Sequence, residues 1–182
     1  MELTFDEERN LVAGLKRGTD KAFQDLYRYF SSGLMGLFYR MTGDHDLSRD
    51  LFQETMIKIF EGVKYFREES RLYTWIYTIA RNVALGHARK KRSEPALTVE
   101  SERRVASTSL TPEEITVQKT SLEHLARCIN DLDTDDRMII SLKLQTGLKY
   151  RGIAEIMGMT AGNVRVRMYR IREHLRTRMD WR

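Results

Sequence analysis

A chain of 182 residues, 41% hydrophobic and 31% charged, is long enough for one or two small packed domains and too polar for an integral membrane protein. Its formal net charge of +5 suits a polyanionic partner, and a single cysteine, Cys128, excludes an internal disulfide and a thiolate zinc cluster. No apolar run approaches the roughly 18 residues of a membrane span, the acidic start MELTFDEERN lacks a signal-peptide pattern, and the four His show no ligand spacing. The expectation is a cytoplasmic protein without metal or cofactor, in which Cys128 is a buried structural thiol.

Thr4-Phe-Asp-Glu7 has the form of a capping box and predicts a first helix that stops at Gly18. Asp20 is expected to cap a second helix. Its apolar residues Phe23, Leu26, Tyr27, Phe30, Leu34, Leu37, Phe38 and Met41 recur at helical spacing up to Gly43. A third helix, from about Asp46 to Gly62, turns Leu47, Leu51, Phe52, Met56, Ile59 and Phe60 inward. Its polar side carries Asp50, Gln53, Glu54 and Glu61, which reads first as a solvated face and second as a docking surface. A fourth, from about Arg71 to Arg92, has Leu72, Trp75, Ile76, Ile79 and Val83 as its stripe. No stretch alternates with period two, so residues 1–92 are expected to be an all-helical domain.

Residues 93–110, SEPALTVESERRVASTSL, lose the apolar periodicity and read as a flexible linker. Thr111-Pro112-Glu113-Glu114 then opens a helix with N-cap, proline at the first helical position and an acid behind it; it carries Leu122, Leu125, Ala126 and Ile129. Another helix is expected over about Asp135–Gln145. Within Tyr150–Arg178, a short helix ends at Gly158, Thr160 caps a second, and Val164, Met168, Ile171 and Leu175 form its buried stripe. That is the pattern of a helix-turn-helix. The fold class is therefore all-α, with two small helical domains, 1–92 and 111–182, joined by the linker. Their formal charges are +3 and +3, with −1 in the linker.

Two stretches carry candidate chemistry. From Ala161 to Arg182 there are seven Arg, one Glu and one Asp, a net +5 on one helix and its tail. Arg grips phosphate and guanine edges in bidentate fashion. With the apolar stripe inward, Asn163, Arg165, Val166, Tyr169 and Arg170 lie on the outward arc near the helix start, where a recognition helix meets bases. Residues 60–77 hold six of the 17 aromatics, interleaved with Lys64, Arg67 and Arg71 and followed by the run Arg89-Lys90-Lys91-Arg92. Rings between cations suit unstacked bases, and an aromatic core edge beside a solvated basic tail is the competing reading. Tyr73 and Tyr77 fall off the core stripe, while Trp75 and Phe60 belong to the core.

DLFQETMIKIF (50–60), YFREESRLYTWIYTIARN (65–82) and YRGIAEIMGMTAGNVRVRMYRIRE (150–173), in that order, resemble the extracytoplasmic-function (ECF) sigma factors of bacterial RNA polymerase. The likeness covers nearly the whole chain, with 1–92 similar to sigma region 2 and 111–182 to region 4. It implies a transcription initiation factor that binds core RNA polymerase through Asp50, Gln53 and Glu54. It also implies that Phe66, Arg67, Tyr73 and Asn82 hold the melted −10 element, with Trp75 supporting them from the core. Arg165, Val166, Tyr169 and Arg170 match positions that read the −35 element as duplex. The implied partners are core polymerase, promoter DNA and an anti-sigma protein, often membrane-bound, with no small-molecule substrate. No catalytic constellation is visible, so the chain is not expected to be an enzyme. Arg151-Gly152 stand where the family often has acids, and Val166 where it has a small polar residue, so no −35 consensus is carried over. The alternative function is a polymerase-independent helix-turn-helix regulator, which would show a sensor domain and bind palindromic sites as a dimer.

Overall fold

The computed structural model describes residues 3–93 and 124–179. The linker expected over 93–110 and the helix start expected at Thr111 lie outside the described residues, except for Ser93, the last residue of a helix. Among the described residues there are helices and no strands: α1 (Phe5–Lys16), α2 (Asp20–Thr42), α3 (His45–Gly62), a 3-10 turn (Val63–Tyr65), α4 (Leu72–Ser93), α5 (helical at 124–130), α6 (Thr134–Thr146), α7 (Tyr150–Met157) and α8 (Ala161–Arg178).

Local chemistry sets the helix starts. Thr4 and Glu7 form both halves of the capping box, with Thr4 N–H donating to Glu7 Oε2 at 2.8 Å and Glu7 N–H to Thr4 Oγ1 at 3.3 Å. Asp44 caps α3 by accepting from the N–H groups of Asp46 and Leu47 at 2.9 and 3.0 Å; such a cap contributes about 1 kcal/mol. The expected cap at Asp20 is displaced by one residue. Thr19 precedes the helix without a side-chain cap bond, and Asp20 is its first residue, where a carboxylate favours the positive end of the helix dipole.

In the first unit α2 lies against α1, α3 and α4, and in the second α8 lies against α6 and α7. Leu26, Leu34, Leu37, Phe38, Ile59, Leu72 and Ile76 fill the first core; Met138, Ile139, Leu142, Ile153, Ile156, Val164 and Ile171 fill the second. The two cores are continuous, because α2 packs on α6 and α4 on α7. Gly36 makes the close approach possible: a Cβ there would stand 2.6 Å from Gln145 Oε1. Arg40 of α2 donates to Gln145 Oε1, and Arg137 of α6 donates to the Met41 carbonyl at 3.3 Å.

This seam corrects one expectation. Tyr77 is not an outward ring; it is 3% exposed, and burial pushes its phenol above the ordinary range. Burial likewise lowers the neighbouring Arg40 guanidinium. Phe60 and Tyr27 err the other way. Both were expected inward and are 61% and 55% exposed, because α2 and α3 close on Leu26, Phe30, Leu51 and Ile59 and leave their flanks outside. No helix among the described residues is long and apolar enough to cross a membrane.

Candidate nucleic-acid interfaces

Three surfaces follow from this packing. The first is α8. Gly158 ends α7 at φ 64°, in the left-handed region that a Cβ disfavours, and the Met159 N–H returns to the Ala154 carbonyl at 3.0 Å. Thr160 Oγ1 accepts the Asn163 N–H at 3.2 Å and starts α8 after this short turn. Val164, Met168, Ile171 and Leu175 are buried as the periodicity requires, so Arg165, Val166, Tyr169 and Arg170 are all exposed on one arc.

The arginines of α8 divide by partner. Arg167 is half-buried and reaches back to the start of α6, 2.6 Å from Asp136, 3.6 Å from Asp133 and 3.8 Å from Asp135. Burial pushes the Asp136 carboxyl up, against the pull of the Arg167 hydrogen bond. Arg172 donates to the Tyr150 hydroxyl at 3.1 Å, Arg176 pairs with Glu173 at 3.1 Å, and Arg178 pairs with Asp131 at 3.0 Å. Arg165 and Arg170 make no side-chain hydrogen bond or ion pair among the described residues. The two guanidinium groups without an intramolecular task are thus on the arc that faces outward.

The second surface is a groove between α3 and α4, lined by Glu54, Lys58, Trp75, Asn82, His87 and Lys90 among others. Trp75 is half-buried: it packs against the core beside buried Phe66, ring centroids 5.0 Å apart, and also lines the groove. Asn82 is exposed in the same groove. Phe66, expected among exposed rings, is 6% exposed and anchors the loop after the 3-10 turn, while Tyr65 is 73% exposed. Arg67 follows Phe66 and is exposed, 4.0 Å from Glu69.

Tyr73 is not brought to this groove. It lies nine residues before Asn82 on α4, half a turn away in angle. Its ring stacks on Tyr77 at 4.4 Å and faces Phe30 at 6.0 Å, in a pocket that Gln145, Thr146 and Leu148 close from the second unit. Sequence reading singled out Lys90, within the basic run after the aromatic stretch, and missed the groove residues Lys58 and His87. The spacing of Trp75, Ile79, Asn82 and Gly86, four, three and four residues, is a helical stripe that could have found the α4 wall.

The third surface is the outer side of α3, where Asp50, Gln53 and Glu54 are exposed; Glu54 also pairs with Lys58 at 3.5 Å. Beside it the rings of Phe23 and Phe60 meet at a tilt, centroids 5.1 Å apart, and Ile57 is 58% exposed, so an apolar patch borders the acidic one. Mixed surfaces of this kind mark protein contacts. Among the described residues, His, Cys, Asp and Glu form no cluster of metal-site type.

Comparison with known proteins assigns both units. Residues 26–94 match the family described as Sigma-70 region 2, and residues 122–175 match Sigma-70, region 4. The chain is 32% identical over 181 residues to the ECF RNA polymerase sigma-E factor of Haemophilus influenzae, covering 95% of both chains. It is 31% identical over 180 residues to the RNA polymerase sigma-H factor of Pseudomonas aeruginosa, covering 94% of this chain and 93% of that one. Among solved structures, CnrH in complex with the cytosolic domain of CnrY superposes with a TM-score of 0.73 at 20% identity, over 95% of this chain and 97% of that one. The sigma factor RpoE of Bartonella quintana, in complex with the anti-sigma factor NepR, gives 0.71 at 24% identity over 88% and 98%. At these identities the two structures speak for the shared fold.

Proposed function

Since the chain belongs to the ECF sigma factors, the subunits that direct RNA polymerase to promoters, we propose that its two units divide promoter recognition by the state of the DNA. The family is not enzymatic; RNA synthesis is the polymerase's chemistry. In this reading Arg165, Val166, Tyr169 and Arg170 enter the major groove of the −35 element. The observation that carries it is the partition of the α8 arginines, in which the outward pair alone lacks internal partners among the described residues. A bidentate Arg contact to guanine discriminates by about 1–3 kcal/mol.

The groove between α3 and α4, with the loop before α4, takes the melted −10 strand. Asn82 offers both a donor and an acceptor to a base edge. Where it lines the groove Trp75 offers a stacking face, Lys58 and Lys90 balance backbone charge there, and exposed Arg67 of the loop adds to them. Phe66 acts from beneath, through Trp75. Tyr73 is assigned a supporting place through its stack on Tyr77. Asp50, Gln53 and Glu54 dock on core polymerase, with the patch around Phe60 as the apolar part of that contact. The remaining partner is an anti-sigma protein, by extension from the similar structures that are complexes of that kind. Cytoplasmic residence follows from work on the chromosome.

Run-off transcription with purified core polymerase, on templates with either element scrambled, tests this division. Transcription should need both elements and the chain itself. A chain that ignores core polymerase and binds symmetrical sites as a dimer would be a polymerase-independent regulator instead.

A further inference from the structure

α1 takes no part in any of the three surfaces, yet its side chains hold the loop before α4 at two points. At the far end stands Glu8, 8% exposed. Its Oε1 accepts the Leu72 N–H that opens α4, and its Oε2 accepts the Nε–H of Arg71. Arg71 also donates from Nη2 to the Leu3 carbonyl at 3.1 Å. In the middle of the loop, Lys16 Nζ donates to Glu68 Oε1 at 2.8 Å.

Glu68 is the one non-glycine residue with positive φ among the described residues, at 60°. A residue with a Cβ stays in that region only where its surroundings over-determine it. Arg67 sits between this strained residue and Phe66, which is buried against Trp75. Glu8 and Lys16 stand eight residues apart on one helix, about 12 Å at 1.5 Å per residue. The middle and the far end of the loop are therefore tied to a single rigid element.

A buried carboxylate is costly unless fully paired, and an apolar residue of similar volume would pack as well. Glu8 does what an apolar residue cannot: it fixes Arg71 and the first N–H of α4 relative to each other. We propose that Glu8 is a positioning residue for promoter melting, and that α1, through Glu8 and Lys16, is a strut holding the loop in the shape that receives the −10 strand. The proposal rests on the assignment of that loop and groove to the −10 element.

The test uses holoenzyme reconstituted with core polymerase and measures open-complex formation on a promoter selected from a library and on the same promoter with a substituted −10 base. The readout is the ratio between the two templates. Glu8→Gln should narrow it by about tenfold, the loss of a charge-assisted hydrogen bond. Lys16→Met, at an exposed pair, should narrow it by about twofold. Co-purification with core polymerase and dependence on the −35 element should not change. If Glu8 only stabilises the fold, both templates weaken equally and the ratio stays as in the wild type, which overturns the proposal. Asn82→Ala separates the two levels of inference. A ratio that collapses with Asn82→Ala and survives Glu8→Gln refutes the strut and leaves the −10 assignment standing; a ratio untouched by both removes the assignment as well. Should Glu8→Gln not fold, Lys16→Met and Glu68→Gly carry the test, and an unchanged ratio in both overturns the proposal.

Discussion

The two parts of this chain proposed to face DNA are held in shape by different means. On α8 the four candidate contacts follow from one helix: once Val164, Met168, Ile171 and Leu175 are buried, the 3.6-residue repeat fixes where Arg165, Val166, Tyr169 and Arg170 must point. The groove of the first unit has no such single origin. Trp75 and Asn82 come from α4 and Lys58 from α3, and Arg67 stands outside the groove on a loop with a left-handed Glu68. Duplex DNA has a regular groove, and a regular helix fits it. A melted strand has no shape of its own, so the protein has to supply one from several elements.

The largest effect is expected from removing the outward pair of α8. Arg165→Ala with Arg170→Ala should lower transcription from a −35-dependent promoter by about a hundredfold or more, at roughly tenfold or more per lost base contact. Arg172→Ala and Arg176→Ala, which remove arginines with internal partners, should change the same promoter by less than about threefold. Equal losses from both pairs would mean that α8 supplies only general positive charge. A smaller effect is expected in the groove. Asn82→Ala should reduce permanganate reactivity of −10 thymines by about tenfold, a few kcal/mol at most being at stake in capturing an unstacked base. Co-purification with core polymerase should be unchanged. If polymerase binding is lost instead, the groove belongs to the docking surface.

The same difference explains what could be read from the sequence. The helices, their order and the α8 arc were legible because each depends on residues within two or three turns of one another. The capping box at Thr4, the stop at Gly158 and the stripe of α8 were all visible as spacing. The burial of Tyr77 was not, since it depends on α6 and α7 packing against the first unit across a seam that leaves no periodic mark. The burial of Phe66 was not legible for a related reason. It depends on how the loop enters α4, and that loop is contacted by Glu8 and Lys16, more than fifty residues earlier. Periodicity cannot carry contacts at that distance.

A third test asks whether the arginines of α8 are separable by role. Arg167→Ala should cost about 1–2 kcal/mol of folding stability, because it leaves Asp136 half-buried beside Asp133 and Asp135 without a counter-charge. Urea denaturation measures that loss. Discrimination between −35 sequences, measured on the folded fraction, should stay within about twofold of the wild type, since Arg167 does not face outward. A large change in discrimination with little loss of stability would place Arg167 among the reading residues, and the helix would be less simple than its geometry suggests.

The smallest effect expected is a pH response confined to the loop. The hydrogen bond from Lys16 holds the Glu68 carboxyl below its ordinary value of 4.5. A carboxylate depressed in the folded state contributes its stability above the unfolded value, and loses it as pH falls through the folded one. The loop should therefore keep its shape throughout the neutral range and loosen only at acid pH, below the ordinary carboxylate value. Because Phe66 rests on Trp75 at 5.0 Å and precedes Glu68 by two residues, Trp75 fluorescence reports on that loosening. Trp181→Phe removes the only other tryptophan. In that background the acid transition of Trp75 should begin at higher pH in Lys16→Met, because the unpaired carboxyl titrates nearer its ordinary value. The α8 unit supplies the internal control. None of its outward contacts depends on a carboxylate, so duplex −35 binding by the holoenzyme should show no difference between Lys16→Met and the parent over the same range. Coincident transitions in the two proteins would mean that Lys16 does not hold Glu68, and that the loop keeps its left-handed residue by packing alone.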